Sequence, residues 1–138
     1  MKITVITADS AQRDPVGKVH ALGLNWSWVV TPTPPMSVVI VIDPDTADEL
    51  LTTFKLVAEL IDANDEPATF GRSAEPLRAY IDATADEPSA RMMLAFNVAP
   101  GIPLSPGRYS WRVTDSDGKE YGRTGFEVRP NGDTGPAA

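Results

Sequence analysis

The chain contains one histidine and no cysteine, and these two counts limit the chemistry that it can perform. A catalytic triad needs a base, an orienting acid and a nucleophile that converge in space. His20 lies in a run of alternating apolar residues, where an ordinary half-buried histidine is the favoured interpretation. Without cysteine, the chain has no disulfide, thiolate zinc site, iron–sulfur cluster or cysteine nucleophile. The sequence also contains no glycine-rich phosphate loop and no Gly-x-Ser-x-Gly nucleophile elbow.

Two acidic clusters contain the residue types of calcium-binding loops. They are Asp62-Ala63-Asn64-Asp65-Glu66 and Asp115-Ser116-Asp117-Gly118. An EF-hand places its ligands in a fixed register that ends in a bidentate glutamate. Glu120 comes too early for that register, and no such glutamate follows the first cluster. We interpret both clusters as turns, with a weak surface calcium site shared with a neighbour as the alternative.

Other acids stand close together at the ends of predicted strands. They are Asp43 with Asp45, and Asp82 with Asp86 and Glu87. Paired-carboxylate hydrolysis needs two acids set across a cleft in environments that separate their pKa values. Adjacent acids at strand ends are more often solvated. We therefore predict no catalytic, cofactor-binding or metal-ligating residue, and a protein that is not an enzyme.

The length and charge of the chain narrow its class and its partners. The 138 residues suit one domain with one core. The formal net charge is −7, and the 12 Lys and Arg residues are scattered singly. Since phosphate binding needs a concentrated basic face, we predict no nucleic-acid partner. The sequence shows neither a signal peptide nor an apolar run of the roughly 20 residues that span a bilayer. We expect a chain made in the cytoplasm, with no membrane partner.

Apolar residues in the first third of the chain alternate as in β-strands. Residues 19–30 place His20, Leu22, Leu24, Trp26, Trp28 and Val30 on one face, which predicts a strand with that face buried. Trp26 and Trp28 would then share a face that Trp111 opposes, as part of the core rather than as a sugar-stacking surface or an interface. Residues 36–42 are apolar on both faces and predict a central strand covered on both sides. Prolines at 32, 34 and 35 predict an exposed crossover between sheets.

Residues 46–63 are compatible with two structures. As a helix, Thr46 and Glu49 form a capping box, and Leu50, Phe54, Val57 and Ile61 fall on one face. As a strand from Thr53, alternate residues of 54–60 are apolar, and the following residues resemble a turn. We favour the strand and keep a short helix as the alternative. Residues 77–83 and 92–98 also alternate and are predicted as strands.

The last third of the chain has the clearest pattern. Tyr109, Trp111 and Val113 point inward in one predicted strand, and Phe126 and Val128 do so in the next. The Asp-Gly pair at 117–118 predicts the hairpin turn between them. Pro106-Gly107-x-Tyr109-x-Trp111 has the spacing of a tyrosine corner, in which a tyrosine hydroxyl bonds back to the preceding loop. Trp111 stands where antibody domains carry a cysteine.

Together these elements predict an all-β, immunoglobulin-like antiparallel β-sandwich of seven to eight strands, with at most a short helix. Residues 1–129 would form the single domain. Residues 130–138 have nothing to bury and predict a flexible tail.

Over most of its length the chain resembles a family of small uncharacterised proteins of actinobacteria and their bacteriophages. The residues that carry the resemblance are Asp9-Ser10-Ala11-Gln12, 17–26, 59–67 and the Pro106-Gly107-x-Tyr109 strand. The resemblance implies a sandwich fold and a bacterial or phage setting, and it favours a strand at 53–62. It implies no activity and no functional residue. The insert-like segment 46–52 departs from the family.

Two functions follow as hypotheses. The first is a non-enzymatic structural module of a bacteriophage particle, such as a capsid decoration protein or another virion accessory protein, whose partners are other virion proteins or further copies of itself. The second is an intracellular module that binds a host or bacterial protein, for example through an exposed sheet edge. A small, acidic, cysteine-free chain without recognisable site chemistry suits either function.

Overall fold

A computed structural model describes residues 1–44, 53–70, 76–84 and 91–132. Within these ranges the chain forms ten β-strands and no helix. The strands are β1 (Lys2–Ala8), β2 (Ser10–Arg13), β3 (Val19–Leu22), β4 (Trp28–Val30), β5 (Met36–Asp43), β6 (Thr53–Asp62), β7 (Arg78–Thr84), β8 (Met92–Val98), β9 (Gly107–Asp115) and β10 (Glu120–Arg129). Consequently, no helix among the described residues could span a membrane.

Eight of these strands form two sheets, and the other two form a separate hairpin. One sheet has the order β1-β5-β8 and the other has the order β4-β10-β9-β6-β7. All strand pairs are antiparallel except β4 with β10, which are parallel. In immunoglobulin terms the first sheet is A-B-E, and the second contains G-F-C with an added C′ strand. The predicted all-β sandwich is therefore confirmed, and the β2–β3 hairpin is an addition to it.

The core lies between the two sheets. Trp111 of β9 is the largest fully buried side chain, and its ring meets Phe96 of β8 edge-to-face at 5.5 Å. Alternate residues of each strand enter this layer, as the period of two requires. They include Val5 from β1, Val38, Ile40 and Ile42 from β5, Leu56, Ala58 and Leu60 from β6, Val113 from β9, and Phe126 and Val128 from β10.

The β2–β3 hairpin covers part of the outer face of the β1-β5-β8 sheet. It leads directly out of β1, pairs Ser10 with Leu22 at its open end, and turns at residues 14–18. On the opposite side from the core, Ser37 and Val39 of β5 are buried as well. The prediction that residues 36–42 form a central strand covered on both sides is confirmed.

The single strand predicted over residues 19–30 is wrong. The chain leaves the strand after Leu22, because Gly23 and Asn25 adopt positive φ angles of 63° and 62°. When β4 begins at Trp28 the register has changed, so that Val29 enters the core. Leu22 and Leu24, predicted to be buried, are 72% and 56% exposed.

For part of residues 46–63, the structure decides between the predicted strand and the alternative helix. Residues 53–62 form β6, which pairs with β7 on one side and β9 on the other. Burial in the middle of a sheet explains the mixed pattern: Glu59 and Ile61 on the outer face are buried together with the core residues. The helix is wrong for this part, and residues 46–52 lie outside the described residues.

Three local predictions are confirmed. The Tyr109 hydroxyl donates to the Ser105 carbonyl at 2.8 Å, which is the bond of a tyrosine corner. The 115–118 turn joins β9 to β10, with Gly118 at a φ of 83°. Residues 31–35 carry the chain from β4 in one sheet to β5 in the other, as the proline pattern predicts, but the crossover is not exposed throughout, because Thr33 is buried.

Candidate interaction surface

Three hairpin loops have the same structure, built on an aspartate. Each Asp Oδ1 accepts the backbone N–H groups of the residues two and four positions later. The distances are 3.0 and 2.9 Å at Asp14, 2.8 and 3.1 Å at Asp62, and 2.9 and 2.9 Å at Asp115. The fourth residue of each loop has a positive φ, and these residues are Gly17, Asp65 and Gly118. Both acidic clusters singled out as calcium-like are therefore turns, as the sequence predicts, and a third loop follows the same design.

The carboxylates in these loops are held by donors of the protein. The backbone N–H of Lys119 contributes most to keeping the pKa of the Asp115 carboxyl below its ordinary value of 3.8. The Arg123 guanidinium bonds both oxygens of Asp65 and lowers the pKa of that carboxyl. Among the described residues, no group of three or more His, Asp or Glu side chains is placed to hold a metal ion.

His20 lies in β3 and contacts one of the same turns through its side chain. Its Nε2 lies 2.9 Å from Asp14 Oδ2, and its side chain is largely exposed. This hydrogen bond is the main cause that lowers the pKa of the Asp14 carboxyl. No hydroxyl in the described part of the chain hydrogen-bonds the imidazole. The ring therefore braces the Asp14 turn, and His20 is also one of the residues that line the groove described below.

The strand-end acids do not gather in one place. Asp43 at the end of β5 pairs with Arg91 at 2.7 Å, where the chain enters β8. Asp82 lies on β7 opposite Lys55 of β6. The other acids singled out with them (Asp45, Asp86 and Glu87) lie outside the described residues.

The tryptophans do not share one face, contrary to the prediction. Trp26 packs edge-to-face on the core residue Phe126, with ring centroids 5.4 Å apart. Trp28 points away from the core, and the Arg129 guanidinium covers its ring at 4.0 Å. The change of register between them, caused by the turn at residues 23–25, sends their rings to opposite sides of the sheet. Only Trp111 is fully buried, in the core between the sheets.

A groove of about 670 Å³ lies between the β2–β3 hairpin and the β1-β5-β8 sheet. Ala11, Ala21 and Leu22 line it from the hairpin. Pro35, Met36 and Val98 line it from the sheet, beside a partly buried hydrogen bond from Ser37 to Asn97. Its walls are formed by the hairpin on one side and by the ends of β5 and β8 on the other. A groove that mixes an apolar lining with a few polar groups is the usual form of a binding site.

Exposed leucines stand beside this groove. Leu22 lines it with 72% of its surface exposed, and Leu24 follows in the turn with 56% exposed. The sequence interpretation placed both on a buried face and so missed them. The only signal in the sequence is the presence of Gly23 and Asn25, two residue types that accept positive φ, within the alternating run.

Asp9 is the one acidic residue among the described residues that line the groove. It stands where β1 passes into β2, and its backbone N–H donates to the Leu22 carbonyl at 2.9 Å. Its side chain packs so closely on the turn that a Cβ at Gly23 would lie 2.2 Å from Asp9 Oδ2. Oδ1 is buried and accepts no hydrogen bond from the described residues. The described residues that line the groove include no Lys or Arg.

The outer face of the five-stranded sheet, by contrast, is a network of internal ion pairs. Glu59 lies between Arg78 and Arg112 and bonds both. Arg123 bonds both Asp65 and Glu120. The fold thus collects basic residues that are scattered in the sequence, but pairs them with carboxylates on the same face. Such a face is usually a solvated surface of modest energetic weight.

Comparison with protein-family models and with curated proteins finds no match to this chain. The architecture and the surfaces described above are therefore the basis for a functional proposal.

Proposed function

We propose that this protein is a non-enzymatic protein-interaction module and that it binds its partner through the groove beside the β2–β3 hairpin. The observation that carries the proposal is the exposed Leu22 in the lining of the groove, with the exposed Leu24 two residues further along the chain. The setting that we propose is a bacteriophage particle, in which the chain is an accessory protein such as a capsid decoration protein. The resemblance noted from the sequence supports that setting.

The energetics favour a protein partner at this place. Burial of an exposed leucine side chain contributes about 1.5–3 kcal/mol. An exposed leucine in the lining of a groove, with a second exposed leucine two residues away, is the type of apolar centre around which protein interfaces are built. The sandwich supports this centre rigidly, because the hairpin packs on a sheet face whose residues Ser37 and Val39 are buried.

The first experiment asks whether the chain is part of a particle. Phage particles are purified from a culture whose phage carries this gene, and their proteins are quantified by mass spectrometry. The proposal expects this chain at a fixed ratio to the major capsid protein after density-gradient purification. Its absence from intact particles would overturn the virion setting.

The same culture tests the second function. Two results together would favour an intracellular module acting on a host protein. The particles would lack the chain, and the chain would bind one stoichiometric cytosolic partner, with binding lost in Leu22→Ser. Val16→Ser is the matched control, since Val16 is also exposed (79%) and lies on the same hairpin but away from the groove. Partner binding that is equally weakened by both variants would contradict the groove as the binding surface.

A further inference from the structure

The outer edge of β3 has no strand partner among the described residues. The hairpin is a sheet of two strands, in which β3 pairs only with β2. The carbonyls of Lys18 and Leu22 both accept bonds on the β2 side, from the N–H groups of Asp14 (2.8 Å) and Asp9 (2.9 Å). Along an antiparallel strand, the N–H and C=O groups of successive residues point to alternate sides. The N–H and C=O groups of Val19 and Ala21 therefore point away from β2. They form an unpaired edge beside the groove.

An unpaired edge next to a groove has the two components that strand addition requires. Main-chain hydrogen bonds to the edge provide affinity, and pockets for alternate side chains provide selectivity. Here the edge is supplied by Val19 and Ala21, and the adjacent pocket is supplied by the apolar lining of Ala11, Leu22 and Met36. The exposed Leu22 stands at the junction of the two.

The negative charge of Asp9 in the groove favours extended segments that carry a positive charge. Asp9 is the one acid among the described residues that line the groove, and it has no ion pair within the described structure. A carboxylate without an ion pair of its own is best complemented by a cationic donor. The described lining residues include no Lys or Arg that could play this role.

We infer that the outer edge of β3 binds an extended segment of a partner protein, in which apolar residues alternate and a Lys or Arg faces Asp9. The inference rests on the proposed function, since it names the form of partner that the groove receives. The segment adds a third strand to the β2–β3 hairpin. Its alternate side chains enter the groove, and its cationic residue lies at the Asp9 end.

The experiment uses a library of random linear peptides panned against the full chain, with the Leu22→Ser/Leu24→Ser variant as the counter-selection. The inference expects enriched peptides with alternating apolar residues and a Lys or Arg. N-methylation of alternate peptide residues should weaken binding about tenfold or more, because each blocked N–H removes a main-chain bond to the edge. N-methylation of the intervening residues should have little effect on affinity.

Two variants of the protein test the same geometry. Ala21→Pro removes an outward N–H and is tolerated at a sheet edge, so binding should fall about tenfold while the melting temperature changes little. If this variant does not fold, the N-methylated peptides still provide the test on the unmodified protein. Asp9→Asn should weaken binding of the cationic peptides, whereas Asp117→Asn, in the distant β9–β10 turn, should not.

The outcomes separate the inference from the proposed function. Peptides that need Leu22 and Leu24 but tolerate every N-methylation would overturn strand addition and leave the groove as a binding surface. Failure to enrich any peptide over the counter-selection would also overturn the inference. Absence of the chain from phage particles would remove the virion setting, while peptides sensitive to alternate N-methylation would still support the edge.

Discussion

At the scale of single residues, the tyrosine corner is the clearest link between sequence and stability. Tyr109 bonds the Ser105 carbonyl and, through its ring, packs against Phe126 at a centroid distance of 6.2 Å. Partial burial, followed by the charge of Asp62, raises the pKa of its phenol, so the hydroxyl remains a donor across the neutral range. The corner thereby holds the loop at Ser105 against the start of β9.

Tyr109→Phe should lower the free energy of unfolding by about 1 kcal/mol, because it removes one hydrogen bond and keeps the ring. Urea unfolding at neutral pH measures the change. Tyr80→Phe is the matched control, since Tyr80 lies on β7 with 77% of its surface exposed. Equal effects of the two variants would mean that the corner bond does not contribute to stability.

The aspartate turns make a prediction about pH. The Asp115 carboxyl has a lowered pKa in the folded state because backbone N–H groups bond its charged form. A group whose folded pKa is depressed stabilises the protein above its unfolded pKa, and this contribution is lost as the pH falls through the folded value. Asp115→Asn should therefore be less stable than wild type at neutral pH.

This difference between wild type and Asp115→Asn should shrink below pH 3.8, the ordinary value of the group. Urea midpoints measured at neutral pH and at about pH 3 provide the comparison. Asp117→Asn serves as the control, since the Asp117 carboxylate accepts no hydrogen bond from the described residues. A stability difference that does not change with pH would show that the Asp115 charge is not coupled to folding.

At the scale of the strands, the sandwich depends on a close approach between β1 and β10. A Cβ at Gly122 would lie 2.8 Å from the Ile3 carbonyl oxygen of β1. This position follows the register shift of β10 between Glu120 and Gly122, which places the glycine against the other sheet. A glycine is needed here for space rather than for a positive φ.

Gly122→Ala should destabilise the fold by about 1–3 kcal/mol, because the neighbour is backbone and yields only if the strands separate. Thermal unfolding of this variant is compared with that of Gly125→Ala in the same strand. There the nearest atom to a new Cβ is Ser110 Oγ at 3.5 Å, an ordinary contact. If Gly125→Ala were the more destabilising of the two, the close approach of β1 to β10 would be wrong.

The strands also show what the sequence can predict. The β9–β10 hairpin, its Asp-Gly turn and the tyrosine corner are local, so residues 105–128 contain all the information that is needed. The end of β3 at Leu22 was hidden because the alternation of residues 19–30 continues through Gly23 and Asn25, where the backbone turns. A period of two cannot reveal a turn whose residues happen to keep the alternation.

At the scale of the whole molecule, the binding groove was beyond sequence reasoning for a physical reason. Its walls come from residues 9–12, 20–22, 35–37 and 97–98, which meet only through long-range strand pairing. Composition predicted neither the exposure of Leu22 nor the isolation of Asp9. Both depend on the fact that β2 and β3 form a separate hairpin and do not join the sheet that contains β1. The sandwich itself was predictable, because the number and patterning of its strands are properties of the sequence.

The proposed function joins these scales. The sandwich carries one added hairpin. Within the described structure, the outer edge of its strand β3 is unpaired and Leu22 is exposed, while Asp9 precedes the hairpin and the exposed Leu24 follows it. The outer face of the five-stranded sheet is occupied by its own ion pairs, so the hairpin side is where a partner gains most from contact.

The most direct test is an add-back assay on purified particles of a phage that lacks this gene. Wild type, Val16→Ser and Leu22→Ser/Leu24→Ser are each added, and the bound protein is measured as a function of concentration. We predict equal binding of wild type and Val16→Ser, and binding at least about tenfold weaker for the double variant, because two buried leucines are lost. Equal binding of all three proteins, or binding by none of them, would contradict the proposed function.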